Sequence, residues 1–132
     1  MSSADTRGVR VEVEPRYLPE ESSPETGHYV FAYTVTIANF GKETAQLRSR
    51  HWVITDATGS IEEVRGPGVV GSQPTLAPGQ AFRYTSGCVL RTPRGTMHGT
   101  FQMHLEDESC FDAEIAPFLL IAPGPGTERY LN

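Results

Sequence analysis

Three glycines, Gly66, Gly68 and Gly71, stand at the spacing G-x-G-x-x-G, which in dinucleotide-binding proteins lets backbone N–H groups approach a pyrophosphate. That chemistry needs a strand before the glycines and a helix opening at the last one. Here Pro74 and Pro78 follow, each removing a backbone donor and pushing the preceding residue out of the α region, so the segment is a loop. Two roles stay open for it. The glycines can supply positive φ angles or close backbone approach where the chain crosses between sheets. Alternatively, successive N–H groups can form a nest for phosphate or pyrophosphate, with Arg65 as the nearest countercharge. Against the nest, Pro67 lacks an N–H and no Gly-Lys-Ser/Thr sequence follows.

The other chemistry-bearing residues are sparse. His98 and His104 share a strand face, but the rise along a strand sets them about 20 Å apart, too far for one ion. His104 and Glu106 are the weak metal candidates, two groups where a specific site needs three or four. Glu106, Asp107 and Glu108, with Asp112 and Glu114, lack the ligand pattern of a calcium or magnesium loop and are expected as a solvated hairpin tip. Cys88 and Ser86 alternate onto one face with Phe82, Tyr84 and Leu90, so Cys88 is expected as a buried, inert thiol. There is no G-x-S-x-G elbow and no histidine at a spacing that would activate either group, so no catalytic residue is assigned and the chain is not expected to be an enzyme.

The elements that must position these residues read as strands. Val9, Val11 and Val13 alternate with charged residues up to Pro15, after which an acidic, proline-rich loop follows. His28 to Asn39 is apolar on both faces, with Tyr29, Phe31, Tyr33, Val35 and Ile37 on the heavier one, as in the middle of a sheet. Ala45 to Thr55 is another strand, with His51 and Trp52 on opposite faces and Trp52 expected in the core. If Trp52 were instead exposed, Arg50 and His51 would border a patch with the glycine loop. Ser60 to Val64 is a short strand, and Arg65 to Gln80 is expected as one long loop. Ala81 to Leu90 follows. Thr96 to Glu106 then places Met97, Gly99, Phe101, Met103 and Leu105 on one face, and a last alternating segment runs on from Phe111.

About seven strands with turn signals between them and no amphipathic helix predict an all-β, immunoglobulin-like sandwich of fibronectin type III kind, a small barrel being the alternative. At 132 residues the chain makes one domain, expected as 9–121 between flexible ends at 1–8 and 122–132. The net charge of -5 and the single lysine, Lys42, argue against nucleic acid. Without an apolar signal segment or a long apolar run, a soluble cytoplasmic protein with reduced Cys88 and Cys110 and no membrane insertion is expected.

Four runs also resemble the ApaG family in their order. They are Ser49 to Asp56 (SRHWVITD), Gly66 to Pro74 (GPGVVGSQP), Tyr84 to Leu90 (YTSGCVL) and Gly95 to Met103 (GTMHGTFQM). The resemblance extends from about Val9 to about Leu120. It implies a fibronectin type III-like sandwich, found alone in bacteria and as a carboxy-terminal domain of some eukaryotic F-box proteins and a polymerase-interacting protein, where it looks like a protein-interaction module. It also implies a loose association with cobalt and magnesium resistance or efflux and a gene near that of a diadenosine tetraphosphate hydrolase, neither of which is an activity. The expectation is a non-enzymatic binding module without a cofactor. It would meet an unidentified protein partner through Arg65, Gly66, Gly68, Val69, Val70, Gly71 and Gln73, with weak phosphate or nucleotide binding at the same loop as the alternative.

Overall fold

The structure, a computed structural model, describes residues 1–124. Nine strands run in chain order: β1 (Ser2–Thr6), β2 (Val9–Tyr17), β3 (Tyr29–Asn39), β4 (Ala45–Asp56), β5 (Ile61–Pro67), β6 (Thr75–Leu76), β7 (Ala81–Leu90), β8 (Arg94–Leu105) and β9 (Cys110–Ile121). One antiparallel sheet has the order β1-β2-β3-β7, and the other β5-β4-β8-β9, with β6 also paired to β4. Their inner faces form the core of a sandwich. It is built from the alternating residues of each strand, among them Val9, Val11, Val13, Phe31, Val35 and Ile37 of the first sheet and Leu47, Trp52, Phe101 and Met103 of the second, because a strand turns every other side chain to one face.

The count exceeds the seven expected because two short strands carry little apolar alternation. The stretch 1–8, expected as a flexible end, contributes β1, whose Ser2 to Thr6 pair with Val13 to Val9. At the other end, the N–H of Ala122 donates to the Pro93 carbonyl at 2.8 Å, so the sandwich continues into the segment expected as tail, whose remainder from 125 lies outside the described residues. Pro15 does not end β2 either. Beyond the Ser2–Val13 pair β2 has only β3 as a neighbour, and a proline is tolerated where a strand has a free side.

The expected long loop from Arg65 to Gln80 is also broken up. Arg65, Gly66 and Pro67 belong to β5 and pair with His51, Arg50 and Ser49, while Thr75 and Leu76 pair with β4 as β6. What remains as loop between β5 and β6 is Gly68 to Pro74.

Two bulges set which residues face inward. In β9, Met97 opposes Phe118 while Gly99 opposes Ile115, an extra residue at Ala116–Pro117 that moves the inward face from the odd positions to Phe118 and Leu120. In β4, Leu47 opposes Met103 while Ser49 opposes Gln102, so Arg48 is an extra residue. Before it Ala45 and Leu47 are buried; after it Trp52 is buried and Arg50 stands on the same inward side.

The sandwich is closed along one side and open along the other. Where β1 lies near β9, the Glu114 N–H donates to Thr6 Oγ1 at 3.0 Å, and the Arg7 guanidinium covers the Phe111 ring. On the opposite side the outer strands are β7 in one sheet and β5 in the other. A cleft runs between them.

Candidate functional site

The glycine loop is fastened from beneath by the β4 bulge. The Arg48 carbonyl accepts from the Gly68 N–H at 2.9 Å and from Gln73 Nε2 at 2.8 Å, while the Gln73 carbonyl accepts from Gln46 Nε2. Val69 and Ser72 exchange N–H···O bonds with each other. Gly66 is already paired into the β4–β5 ladder. The donors a phosphate nest would require are therefore largely committed within the protein, at Gly68, Val69 and Ser72. Arg65, proposed as the countercharge, projects from the outer face 3.9 Å from Glu63, beside the His51–Glu63 contact at 2.8 Å.

The two valines separate. Val69 is 1 % exposed and joins the core, whereas Val70 is 60 % exposed at the loop tip. The loop reverses through Gly68 at φ +59°, Val70 at +43° and Gly71 at +78°. Gly68 has no substitute, since a β-carbon there would lie within 3 Å of the Ser72 carbonyl. Gly66 serves a different neighbour. A β-carbon on it would stand 3.0 Å from both terminal nitrogens of Arg50, so the bare glycine is what lets the guanidinium lie against the strand.

Arg50 is the charged residue that the cleft is built around. Its Nη1 donates to the Pro67 carbonyl at 3.0 Å and to the Gly68 carbonyl at 2.9 Å, which fixes the guanidinium plane and, among the described residues, leaves Nε and Nη2 uncommitted. Among the described residues no carboxylate pairs with it. Two adjoining hollows share Arg50, Trp52, Tyr33 and Ser86 as walls. One, of about 380 Å³, is bounded by Tyr84 and the loop residues Pro67, Val69, Val70 and Gly71. The other, of about 510 Å³, extends past Val64, Cys88 and Met97 toward Glu62.

Two phenols line this space. Burial pushes the Tyr33 phenol above its ordinary pKa, opposed by the nearby Ser86 hydroxyl. Burial raises Tyr84 more strongly, with the Tyr33 phenol adding to the rise and Arg50 opposing it, so both rings remain neutral at any physiological pH. Among the described residues the Tyr84 hydroxyl has no hydrogen-bond partner although it is buried, in a residue only 8 % exposed. A buried hydroxyl left in that state costs about 1–3 kcal/mol.

Cys88 lies on the inward face of β7, as its alternation with Tyr84 and Leu90 implied, and burial, with Glu62 adding, pushes its thiol up to about 11. Cys110 is exposed on β9, and both are free. Since the thiolate is the nucleophile, a thiol reagent at pH 8 is expected to label Cys110 alone, with Cys88 modified only after denaturant is added. Rapid labelling of two thiols in the native protein, counted by intact mass, would contradict the burial of Cys88.

The metal candidates do not gather. Among the described residues no three His, Cys, Asp or Glu converge. Glu106 lies in the turn beyond β8 rather than beside His104 on the strand, and the Asp107 carboxylate is held by the Ser109 N–H and hydroxyl. Their arrangement is that of a hairpin tip.

Neither Arg50 as an inward residue nor Tyr84 as an unsatisfied one was assigned from sequence. The signal for Arg50 was present. Leu47 and Trp52 are both apolar yet five apart, an odd interval that a regular strand cannot place on one face, and a bulge between them turns Arg50 inward.

Comparison with known proteins agrees with this architecture. The profile described as "ApaG domain" matches residues 19–105. A protein named Protein ApaG from Acidithiobacillus ferrooxidans is 59 % identical over 114 residues, 86 % of this chain and 90 % of its own. Another of that name from a Methylobacterium species is 55 % identical over 123 residues, 93 % of this chain and 95 % of its own. A crystal structure of a putative ApaA protein from Bordetella pertussis superposes with a TM-score of 0.85 at 56 % identity, covering 87 % of this chain and 94 % of that one. Among the described residues no helix is long and apolar enough to cross a membrane.

Proposed function

Because the chain belongs to the ApaG domain family, whose name specifies no reaction, we propose that it is a non-catalytic interaction module that receives a protein partner on the loop Gly68 to Pro74. The observation that carries this is Val70, a β-branched residue held at φ +43° with its side chain 60 % exposed. Left-handed backbone is costly for valine, by about 1–3 kcal/mol, and such strain concentrates at ligand clamps and binding loops. Glycine would serve the turn at no such cost. An apolar side chain on a loop already pinned by Arg48, Gln73 and Arg50 loses little freedom when a partner closes over it, which favours binding. Val70, rather than the valine pair, is the contact. On this reading the association of the family with cobalt and magnesium resistance runs through the partner and not through an ion held by this chain.

The test follows from the strain. Val70→Gly is expected to stabilise the protein by about 0.5–1 kcal/mol in thermal unfolding while weakening the cross-linked adduct formed with a lysate protein. Val70→Asp is expected to abolish that adduct at an unchanged melting temperature. Both variants retaining the wild-type adduct would sink the loop as the contact surface.

A further inference from the structure

We infer that the cleft between β5 and β7 is a binding site for a monocarboxylate carried on an apolar body, with the Arg50 guanidinium and the Tyr84 hydroxyl as the groups that hold its head. The first ground is the geometry of Arg50. Both hydrogens of Nη1 are taken by the carbonyls of Pro67 and Gly68, so the side chain is locked before any ligand arrives, and the Nε–Nη2 edge remains as the two-pronged donor that matches a carboxylate. In a chain of net charge -5, this guanidinium is held by backbone carbonyls and has no carboxylate partner among the described residues.

The second ground is Tyr84. Its hydroxyl is buried and unpartnered on the wall of the hollow that Arg50 also lines, and a buried polar group without a partner calls for an explanation. An oxygen of a carboxylate seated on Arg50 supplies the missing acceptor. Ser86 stands beside it as a further donor.

The body of the ligand is set by the adjoining hollow. Its walls include Trp52, Ile54, Val64, Cys88, Val89 and Met97 as well as Glu62, around about 510 Å³. That volume falls within the range of small-molecule sites, and its walls mix these apolar side chains with the polar groups of Tyr33, Arg50 and Ser86. A phosphate dianion is disfavoured there. One guanidinium and neutral hydroxyls balance a single negative charge, and the carboxylate of Glu62 lines the same hollow.

A carboxylate of this kind comes either from a free organic acid or from the carboxy terminus of a polypeptide, and the experiment separates them. Trp52 is the single tryptophan and walls both hollows, so its fluorescence reports occupancy directly. We would titrate the full chain with 3-phenylpropionate, with a pentapeptide ending in phenylalanine, with the amide of that peptide, and with inorganic phosphate. Saturable binding with a Kd of about 1 mM or tighter is expected from the free acid, the peptide acid or both, identifying the source, and none from the amide or phosphate. Arg50→Lys, which keeps the charge but not the fork, is expected to weaken binding at least about tenfold. Tyr84→Phe is expected to weaken it several-fold while leaving the melting temperature equal or higher, an outcome that a merely structural hydroxyl would not give.

Failure of both acids to saturate overturns the inference. So does equal binding of the amide or of phosphate, or an Arg50→Lys variant that binds as wild type. It stands apart from the partner proposed for Val70: acid binding without an adduct overturns that proposal alone, and an adduct without acid binding overturns this one alone.

Discussion

Val69→Asp is expected to unfold the protein or to lower its stability by at least about 4 kcal/mol, whereas the same change one residue later leaves stability unchanged. Val69 is 1 % exposed. Removing it forfeits about 1.5–3 kcal/mol of burial, and the carboxyl that replaces it must either be buried without a partner or drag the loop away from the core. Its own N–H and carbonyl are bonded to Ser72, and the loop is tied to Arg48 through Gly68 and Gln73, so moving it outward breaks those contacts too. Against a total of about 5–15 kcal/mol for a domain, that loss is decisive. Urea unfolding followed by circular dichroism checks it. A Val69→Asp midpoint within error of wild type would mean that Val69 is not part of the core.

The second large effect is expected at Trp52. Its ring meets Tyr33 across the sandwich at 5.2 Å between centroids, Phe118 at 6.0 Å and Phe101 at 6.1 Å, the last two edge-on. Edge-to-face pairs contribute beyond their area, and truncating a buried aromatic costs about 3–5 kcal/mol. Trp52→Ala is therefore expected to lose most of the margin of stability, and Trp52→Phe appreciably less because the inter-sheet contact with Tyr33 is partly kept. Equal midpoints for the two variants in thermal unfolding would show that the cluster is not what joins the sheets.

The architecture was legible because alternation is strong where one face is buried. Phe31 to Ile37 and Met97 to Leu105 declare their inward faces residue by residue, and Cys88 lies where the period of two places it. What was not legible has specific causes. Ser2–Thr6 is a strand with almost no apolar signal, ordered by its ladder to β2, and backbone pairing leaves no mark in composition. The spacing of Gly66, Gly68 and Gly71 suggested a ligand, yet two of these glycines answer to neighbours that only the fold supplies, the Arg50 guanidinium and the Ser72 carbonyl. Val69 and Val70 look alike in sequence. The loop that reverses through the positive φ angles of Gly68, Val70 and Gly71 buries one and leaves the other in solvent.

The extra residue Arg48 carries a consequence for how this protein can vary. Substitutions along β4 alter one position at a time, and deleting Arg48 would make the ladder regular, leaving Leu47, Arg50 and Trp52 on one face because the intervals between them become even. What the deletion removes is the carbonyl that receives the Gly68 N–H and Gln73 Nε2, so the glycine loop would lose its fastening to the strand beneath it. The seating of the glycine loop thus depends on one extra residue in β4, so variants of altered length should be tolerated at the hairpin tip from Glu106 to Ser109 more readily than there.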